Sequence, residues 1–389
     1  MKYQQKIQVN FNYDVVFTRD LFAPHNHTLA EVLPNIGKPA RMAFFVDEGM
    51  LKHWPNLLEK ITAWCKNHDS VVTLVERPMV VPGGEDVKNE QVFVHRMTHQ
   101  LQRMQICRHS YVVAIGGGAV LDAIGLAAAV FHRGVRLIRV PTTVLSQDDS
   151  AVGVKNSINL DGVKNLIGTF APPFAVLNDA LFLQTLEFRD WAGGLSEAFK
   201  VALIKDATLL EELDKLAKKL ASRDLDAMER IVQRCAILHL EHIATAGDPF
   251  ESGSARPLDF GHWSAHKLET MTNFEVRHGE AVAIGIALDL YCAAKLGFIT
   301  DAERDRVCAI MRRCGLKLWH PALSRQSSAT GTLAIVAGLE EFRQHLGGRL
   351  TITMPDGLGK KIEIHELSPA LVEQGIAWLK ATQAQPMTV

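Results

Sequence analysis

The first half of the chain alternates short apolar runs with helical patterns. "RMAFFVDEG" (41–49) is closed by Gly49, and "VVTLVERP" (71–78) by Pro78. "YVVAIGGG" (111–118) leads into an alanine-rich helical run, 119–131, and "VRLIRVPTT" (135–143) ends at Pro141. Strands separated by helical patterns predict a mostly parallel sheet. The N-terminal "MKYQQKIQVNFNYDVVF" alternates apolar and polar residues as a strand does, and lacks the apolar stretch of a signal peptide. After about residue 185 the period becomes helical over many turns, with further helices expected at 262–272 and 278–296. "RLTITM" and "KKIEIHEL" flank "PDGLG" as a hairpin would. The pattern therefore predicts an α/β domain over residues 1–185 and a mainly α-helical domain over 186–389.

Composition narrows the picture. The chain is 47% hydrophobic and 22% charged, as an ordinary soluble globular protein is. With 42 Lys plus Arg against 43 Asp plus Glu there is no strong basic field, which speaks against a nucleic-acid or membrane partner. The most membrane-like run, "YVVAIGGGAVLDAIGLAAAVF", carries three glycines and Asp122 and reads as a buried strand, turn and helix. Six scattered cysteines without a C-x-x-C pair suit reduced thiols and a cytoplasmic location.

Three polar loops follow strands: "VPGGEDVKN", "IGGGAVLD" and "VPTTVLSQDDS". Glycines there let backbone N–H groups approach a ligand, and a helix start favours phosphate, so a nucleotide is the default expectation. A lone glycine triplet is equally compatible with a tight turn. "SQDDSAVGVKNSINLDGVKNLIG" (146–168) shows neither helical nor strand period. Its Lys155 and Lys164 would serve as point charges for a substrate phosphate, unless the segment is only a solvated loop. His262, His266 and His278 lie within 17 residues, and Glu197 precedes Lys200 by three. Imidazoles plus a carboxylate are the ligand set of a catalytic zinc. Spacing alone weighs evenly between metal binding and satisfied polar residues, and would most simply make His262 and His266 both ligands.

Taken in order, "PGGEDVK", "GGGAVLD", "RVPTTVLSQDDSAVGVKNSIN", "GGLSEAFK", "FGHWSAH" and "HGEAVAIG" resemble the sugar phosphate cyclases, the 3-dehydroquinate synthase-like family. The resemblance runs from about residue 45 to 300. It implies a Rossmann-like NAD-binding domain, a helical metal-binding domain and an active site between them. It also implies a small-molecule sugar phosphate substrate, bound NAD, and zinc with cobalt as an alternative. In such enzymes a hydroxyl is oxidised to a ketone, which acidifies the neighbouring C–H. Phosphate is then eliminated, the ketone is reduced and the ring closes by aldol addition. By this resemblance Glu197, His262 and His278 are the metal ligands and His266 contacts substrate. Asp149, Lys155, Lys164, Asn165 and Lys200 match substrate-site positions. Asp47, Glu85, Lys88, Gly117, Gly118, Asp122, Thr142, Thr143 and Thr185 match the NAD region. Arg133 matches an arginine that reaches a neighbouring subunit's site, which implies a homodimer.

Three departures from the quinate-forming enzymes cluster on one part of the substrate. Their lysine seven residues before an aspartate is Glu241 here, counting back from Asp248. Their arginine is Ala255, with Arg256 one place on, and their "LNFGH" is "LDFGH", which places Asp259. The two lost cations clamp a carboxylate in those enzymes, and an anion within about 4–6 Å in a partly buried site disfavours one by several kcal/mol. The expectation is a cyclase for a non-carboxylated sugar phosphate such as sedoheptulose 7-phosphate, most similar to the valiolone-type and Ebo-type branches. Arg343 or His345 would replace an absent phosphate-binding lysine. The alternatives are a true 3-dehydroquinate synthase, a metal-dependent polyol or alcohol dehydrogenase of the related fold, and a paralogue that binds without chemistry.

Overall fold

A computed structural model describes residues 1–90, 92–161, 163–245, 250, 258–327, 331–345 and 348–383. The chain divides into two compact units, residues 1–142 with 150–182, and residues 143–149 with 183–389.

The first unit is a parallel sheet with helices. Its strands are β1 (Asp14–Thr18), β2 (Ala40–Asp47), β3 (Val72–Leu74), β4 (Met79–Val81), β5 (Tyr111–Gly116), β6 (Arg136–Pro141) and β9 (Ala175–Asp179). They lie in the order β1-β9-β6-β5-β2-β3, with β4 also on β2. Every pairing is parallel. Helices α1 (Thr28–Glu31), α2 (Leu57–Asn67), α3 (Asp86–Asn89), α4 (Phe93–Arg103) and α5 (Gly118–Val130) connect them. The central strands read as unbroken apolar runs because both faces are covered. One face packs Phe44, Val46, Val113, Ile115, Ile138 and Val140 with Ile61 and Trp64 of α2.

Two expectations change. Residues 1–13 form no strand despite their alternation; pairing begins only at Asp14↔Ala175. The segment 146–168, read as lacking strand period, contains an antiparallel hairpin, β7 (Lys155–Leu160) with β8 (Val163–Phe170). Its inward positions are polar, which hides the period: Asn156, Ser157 and Asn159 are buried beside Ile158. Arg139 of β6 supplies the reason. Its guanidinium is buried and donates to the carbonyls of Ala151 (2.8 Å), Gly153 (2.7 Å) and Lys155 (2.8 Å), and to Asn156 Oδ1 (2.7 Å).

The second unit is mainly helical. It contains α6 (Phe188–Ile204), α7 (Ala207–Ala221), α8 (Leu225–Thr245), α9 (His262–Met271), α10 (His278–Lys295), α11 (Asp301–Arg313), α12 (Ala337–His345) and α13 (Pro369–Thr382). The expected C-terminal hairpin is present as β10 (Ile352–Pro355) with β11 (Lys361–Ile364). Helices α6 and α10 are buried around most of their circumference, so they form the unit's centre. No helix among the described residues is long and apolar enough to cross a membrane. All six cysteines are free.

Replacing Arg139 by methionine leaves four acceptors without their donor, each costing about 1–3 kcal/mol. Arg139→Met is expected to destabilise the protein by at least about 3 kcal/mol in urea unfolding, with faster amide exchange over residues 151–156. A loss below about 1 kcal/mol would show that the arginine does not hold this segment.

Candidate functional site: a buried carboxylate facing two histidines

Helix α6 contributes Glu197 and Lys200, three residues apart and both buried. Helix α10 crosses α6 with backbones in contact: a Cβ on Gly279 would lie 2.3 Å from the carbonyl oxygen of Gly193. Gly193 is one turn before Glu197, and Gly279 directly follows His278, so this crossing brings the carboxylate to the imidazole. Arg189 of α6 fastens it further, donating to both Glu280 oxygens at 3.2 and 2.5 Å. A second close approach sets α9. Gly261 has φ +78°, and a Cβ there would lie 2.7 Å from the Ile286 amide nitrogen of α10. Only glycine adopts that conformation in that space at low cost. Asp289 of α10 accepts from Gly261 N–H (3.1 Å) and Trp263 indole N–H (2.8 Å), so both residues flanking His262 are tied to one carboxylate.

As a result Glu197 Oε1 lies 3.8 Å from His262 Nε2 and 3.9 Å from His278 Nε2. These separations are long for hydrogen bonds and close to the roughly 3.4 Å between two ligands of one tetrahedral zinc. Both rings are oriented from behind: His262 Nδ1 lies 3.0 Å from the Phe260 carbonyl, and His278 Nδ1 lies 3.1 Å from Glu269 Oε2. With a proton on each Nδ1, each Nε2 lone pair would face Glu197, an arrangement metal-binding histidines commonly use.

The electrostatics agree. Burial holds the Glu197 carboxyl above its ordinary value, against the pull of Lys200, and neither oxygen has a well-formed hydrogen bond. Burial, then Lys200 and the neighbouring imidazoles, keep His262 well below the usual histidine range, so its ring is neutral. A buried acceptor carboxylate facing the Nε2 atoms of two imidazoles, that of His262 neutral, fits a divalent cation. Glu197, His262 and His278 would hold it. The ring of His266 lies 5.6 Å from His262 and 5.9 Å from His278, centre to centre. A second grouping, His266, Glu269 and His278, also has donors within reach of one ion. Its Glu269, however, is already bound to His278 Nδ1.

Lys200 contacts Glu197, and its Nζ lies 3.5 Å from Asp149 Oδ1. Burial opposes its charge, but Asp149 and Glu197 more than compensate and hold it as an ammonium. Asp149 is held well below the carboxylate range: burial opposes ionisation, while Lys200 and His239 overcome it. Neighbouring Asp148 is buried without a hydrogen-bond partner, and burial next to Glu197 and Asp149 keeps it protonated. Asp259 is half-buried at the turn before α9, its backbone carbonyl accepts from His262 N–H (3.0 Å), and its carboxylate adds to the field on Lys200. Glu241 is exposed on α8 near Lys205, whose ammonium burial holds below its ordinary value against the pull of Glu241. Asp248, Ala255 and Arg256 fall outside the described residues, as does the side chain of His345. Arg343 binds Glu340 at 2.6 and 2.7 Å and the Gly348 carbonyl at 2.7 Å. Thr185 is half-buried, and Thr143 shares a hydrogen bond with Ser146 (2.7 Å).

In the first unit the strand order reverses between β2 and β5, and open α/β sheets bind ligands at the carboxyl ends of such strands. Asp47 ends β2 and accepts from Gly49 N–H (2.8 Å) and from the Gly117 amide at the start of α5. A Cβ on Gly83 would lie 2.0 Å from Asp47 Oδ1, so the glycines form a cradle around that strand end. Gly118 opens α5 beside Ser150, and Thr142 donates its amide to the Gly116 carbonyl. Nearby, buried Lys88 donates to Asp122 (2.7 Å), Ser157 (3.1 Å) and Asn165. Glu85 accepts from Asn159 (3.1 Å) and lies 3.8 Å from Lys164. Residues matched to the cofactor region and residues matched to the substrate hairpin thus form one network. Lys155 is exposed at the start of β7, and Arg133 is exposed at a turn where it has φ +64°.

Sequence reading missed Glu269, His239 and Asp289. Glu269 had a signal: with His262 and His266 it follows the i, i+4, i+7 spacing of one helix face. The other two depend on which helices meet, which no local pattern reports.

The chain is similar to known proteins along most of its length. The 3-dehydroquinate synthase N-terminal pattern matches residues 78–193 and the C-terminal pattern residues 194–334. A 2-epi-5-epi-valiolone synthase of Streptomyces albus is 30% identical over 380 residues, 95% of this chain and 88% of that protein. A 3-dehydroquinate synthase of Pelobacter propionicus is 36% identical over 268 residues, 69% of this chain and 73% of that protein. The solved structure of ValA, the 2-epi-5-epi-valiolone synthase of Streptomyces hygroscopicus with NAD+ and Zn2+ bound, superposes with TM-score 0.85. It is 28% identical and covers 97% of this chain and 99% of that one. A parallel sheet with a helical second unit, matched along its length by such proteins, defines the class of the enzyme. The chain belongs to the 3-dehydroquinate synthase family of sugar phosphate cyclases.

Glu269→Gln keeps the shape but weakens the acceptor behind His278. Zinc affinity, measured by competition with a chromophoric chelator, is expected to fall about 10- to 100-fold with the fold retained. An unchanged affinity would remove Glu269 from the account.

Proposed function

We propose that the enzyme is an NAD- and zinc-dependent sugar phosphate cyclase that eliminates phosphate from a non-carboxylated sugar phosphate such as sedoheptulose 7-phosphate. The observation that carries the reading is the buried Glu197 carboxylate facing the Nε2 atoms of His262 and His278. When bound, NAD accepts and returns a hydride, and the metal acts as a Lewis acid on the reacting hydroxyl and carbonyl.

The remaining roles fall to side chains. Lys200, held as an ammonium, binds and orients the oxygens that gain negative charge. Asp149 and His266 accept and return protons of substrate hydroxyls. Lys155, Lys164 and Asn165 on the β7–β8 hairpin hold the phosphate, for which a flexible ammonium suits a leaving group. Asp47, Glu85, Lys88, Gly117, Gly118, Asp122, Thr142, Thr143 and Thr185 bind NAD.

The substrate class rests on what replaces a carboxylate clamp. Glu241 stands where the quinate-forming relatives carry a lysine, so that cation of their carboxylate clamp is missing here. Asp259 supplies an acceptor for a hydroxyl in its place. A valiolone-type relative aligned over 95% of the chain supports the same direction. True 3-dehydroquinate synthase activity is the second reading, favoured by the 36% identical relative. The six free cysteines suit a reducing, cytoplasmic setting.

Purified protein with NAD and zinc is expected to release inorganic phosphate from sedoheptulose 7-phosphate without net NADH. Turnover of a carboxylated heptulosonate phosphate with none of sedoheptulose 7-phosphate would reverse the substrate assignment. Stoichiometric NADH without phosphate would make the protein a dehydrogenase.

Arg133 sits on an exposed tip with consecutive positive φ values at His132 (52°) and Arg133 (64°), strain typical of functional segments. The proposed assembly is a homodimer in which Arg133 serves the neighbouring site. Arg133→Ala and Lys200→Ala should each be inactive, yet co-expressed chains should recover about a quarter of native activity through mixed dimers. No recovery would place Arg133 in its own subunit's site or outside any.

A further inference from the structure

Helix α8 presents Cys235 and His239, one turn apart, on a single face. Cys235 is buried, and burial, with the nearby charges of Asp149 and Glu197 adding to it, pushes its thiol well up. This face of α8 therefore lies against the charged cluster. His239 is mostly buried on the same face, and its Nδ1 lies 2.9 Å from Asp149 Oδ1. The same oxygen lies 3.5 Å from Lys200 Nζ. One carboxylate oxygen thus stands between an ammonium and an imidazole. The imidazole Nδ1 is thus within hydrogen-bonding distance of the carboxylate oxygen, although the ring is not aligned for a linear bond. Glu241, two residues on, is exposed and faces Lys205 instead. No role assigned above uses His239.

Lys200 has two carboxylates to choose from, Glu197 and Asp149. An aspartate with no other partner would move fully onto the ammonium and occupy the donors a substrate oxygen needs. We propose that His239 is a positioning residue: it holds Asp149 back from Lys200, so that the lysine keeps a donor for substrate and the aspartate stays placed for proton transfer. The inference rests on the reading of Asp149 and Lys200 as reaction-site groups.

The test uses the full-length enzyme loaded with NAD and zinc, with His239→Ala and His239→Asn as variants. Asparagine keeps an N–H donor close to the position of Nδ1. His239→Ala is expected to lose about 10- to 100-fold in kcat, with KM and bound zinc little changed, and His239→Asn to recover most of that loss. Native kcat and KM in His239→Ala would overturn the proposal, as would equal losses in both variants accompanied by loss of zinc. A second measurement does not depend on turnover. The ring 15N signals of His239, assigned by their absence in His239→Asn, are expected to shift in Asp149→Asn, and unmoved signals would overturn the contact. If the unaltered enzyme released phosphate from no sugar phosphate, the proposed function would fail while the ring signals still decided this inference.

Discussion

A carboxylate removed from water must be neutralised, protonated or paired, and Glu197 organises the second unit around that requirement. Burial raises its pKa, while Lys200 beside it favours the charged form. An isolated buried anion costs many kcal/mol, far more than a domain's net stability can absorb. One ammonium shared with Asp149 offsets only part of this. A divalent cation held by Glu197, His262 and His278 would complete the balance. The same reasoning accounts for neutral Asp148: a third anion in the cluster would have no partner, so it keeps its proton.

The chain achieves this geometry by bringing backbones close together. Gly193 against Gly279, and Gly261 against Gly285 and Ile286, let three helices meet where any side chain would separate them. Glu269, the Phe260 carbonyl and Asp289 then fix the ring orientations and the turn around His262. In the first unit the same economy appears at the ends of β2 and β5, where glycines surround Asp47. There Arg139 and Lys88 pull a polar hairpin onto α5 and β6.

Much of the fold was legible in the sequence because its central strands and helices obey simple periods. The buried runs of β2, β5 and β6 and the long helical stretch after residue 185 needed only local pattern. The β7–β8 hairpin was not legible, since Asn156, Ser157 and Asn159 point inward to partners distant in sequence. Residues 1–13 alternate like a strand yet gain none, because a strand also needs an edge to pair with. At the site, spacing paired His262 with His266, whereas the geometry faces His262 and His278 toward Glu197. That grouping was visible only through family resemblance, because it depends on the crossing of α6 and α10. Glu269 could have been found from helix spacing. His239 and Asp289 could not, because their roles exist only once α8 meets Asp149 and α10 meets Gly261.

The claim that most of this depends on is that Glu197, His262 and His278 together hold one metal ion. Zinc K-edge X-ray absorption of the protein loaded with one equivalent of zinc tests it most directly. The account predicts a first shell of nitrogen and oxygen only, at about 2.0–2.2 Å, with two imidazole scattering patterns and no sulfur. The imidazole contribution should fall by half in His278→Ala. A shell containing sulfur, or two imidazoles that persist in His278→Ala, would contradict it.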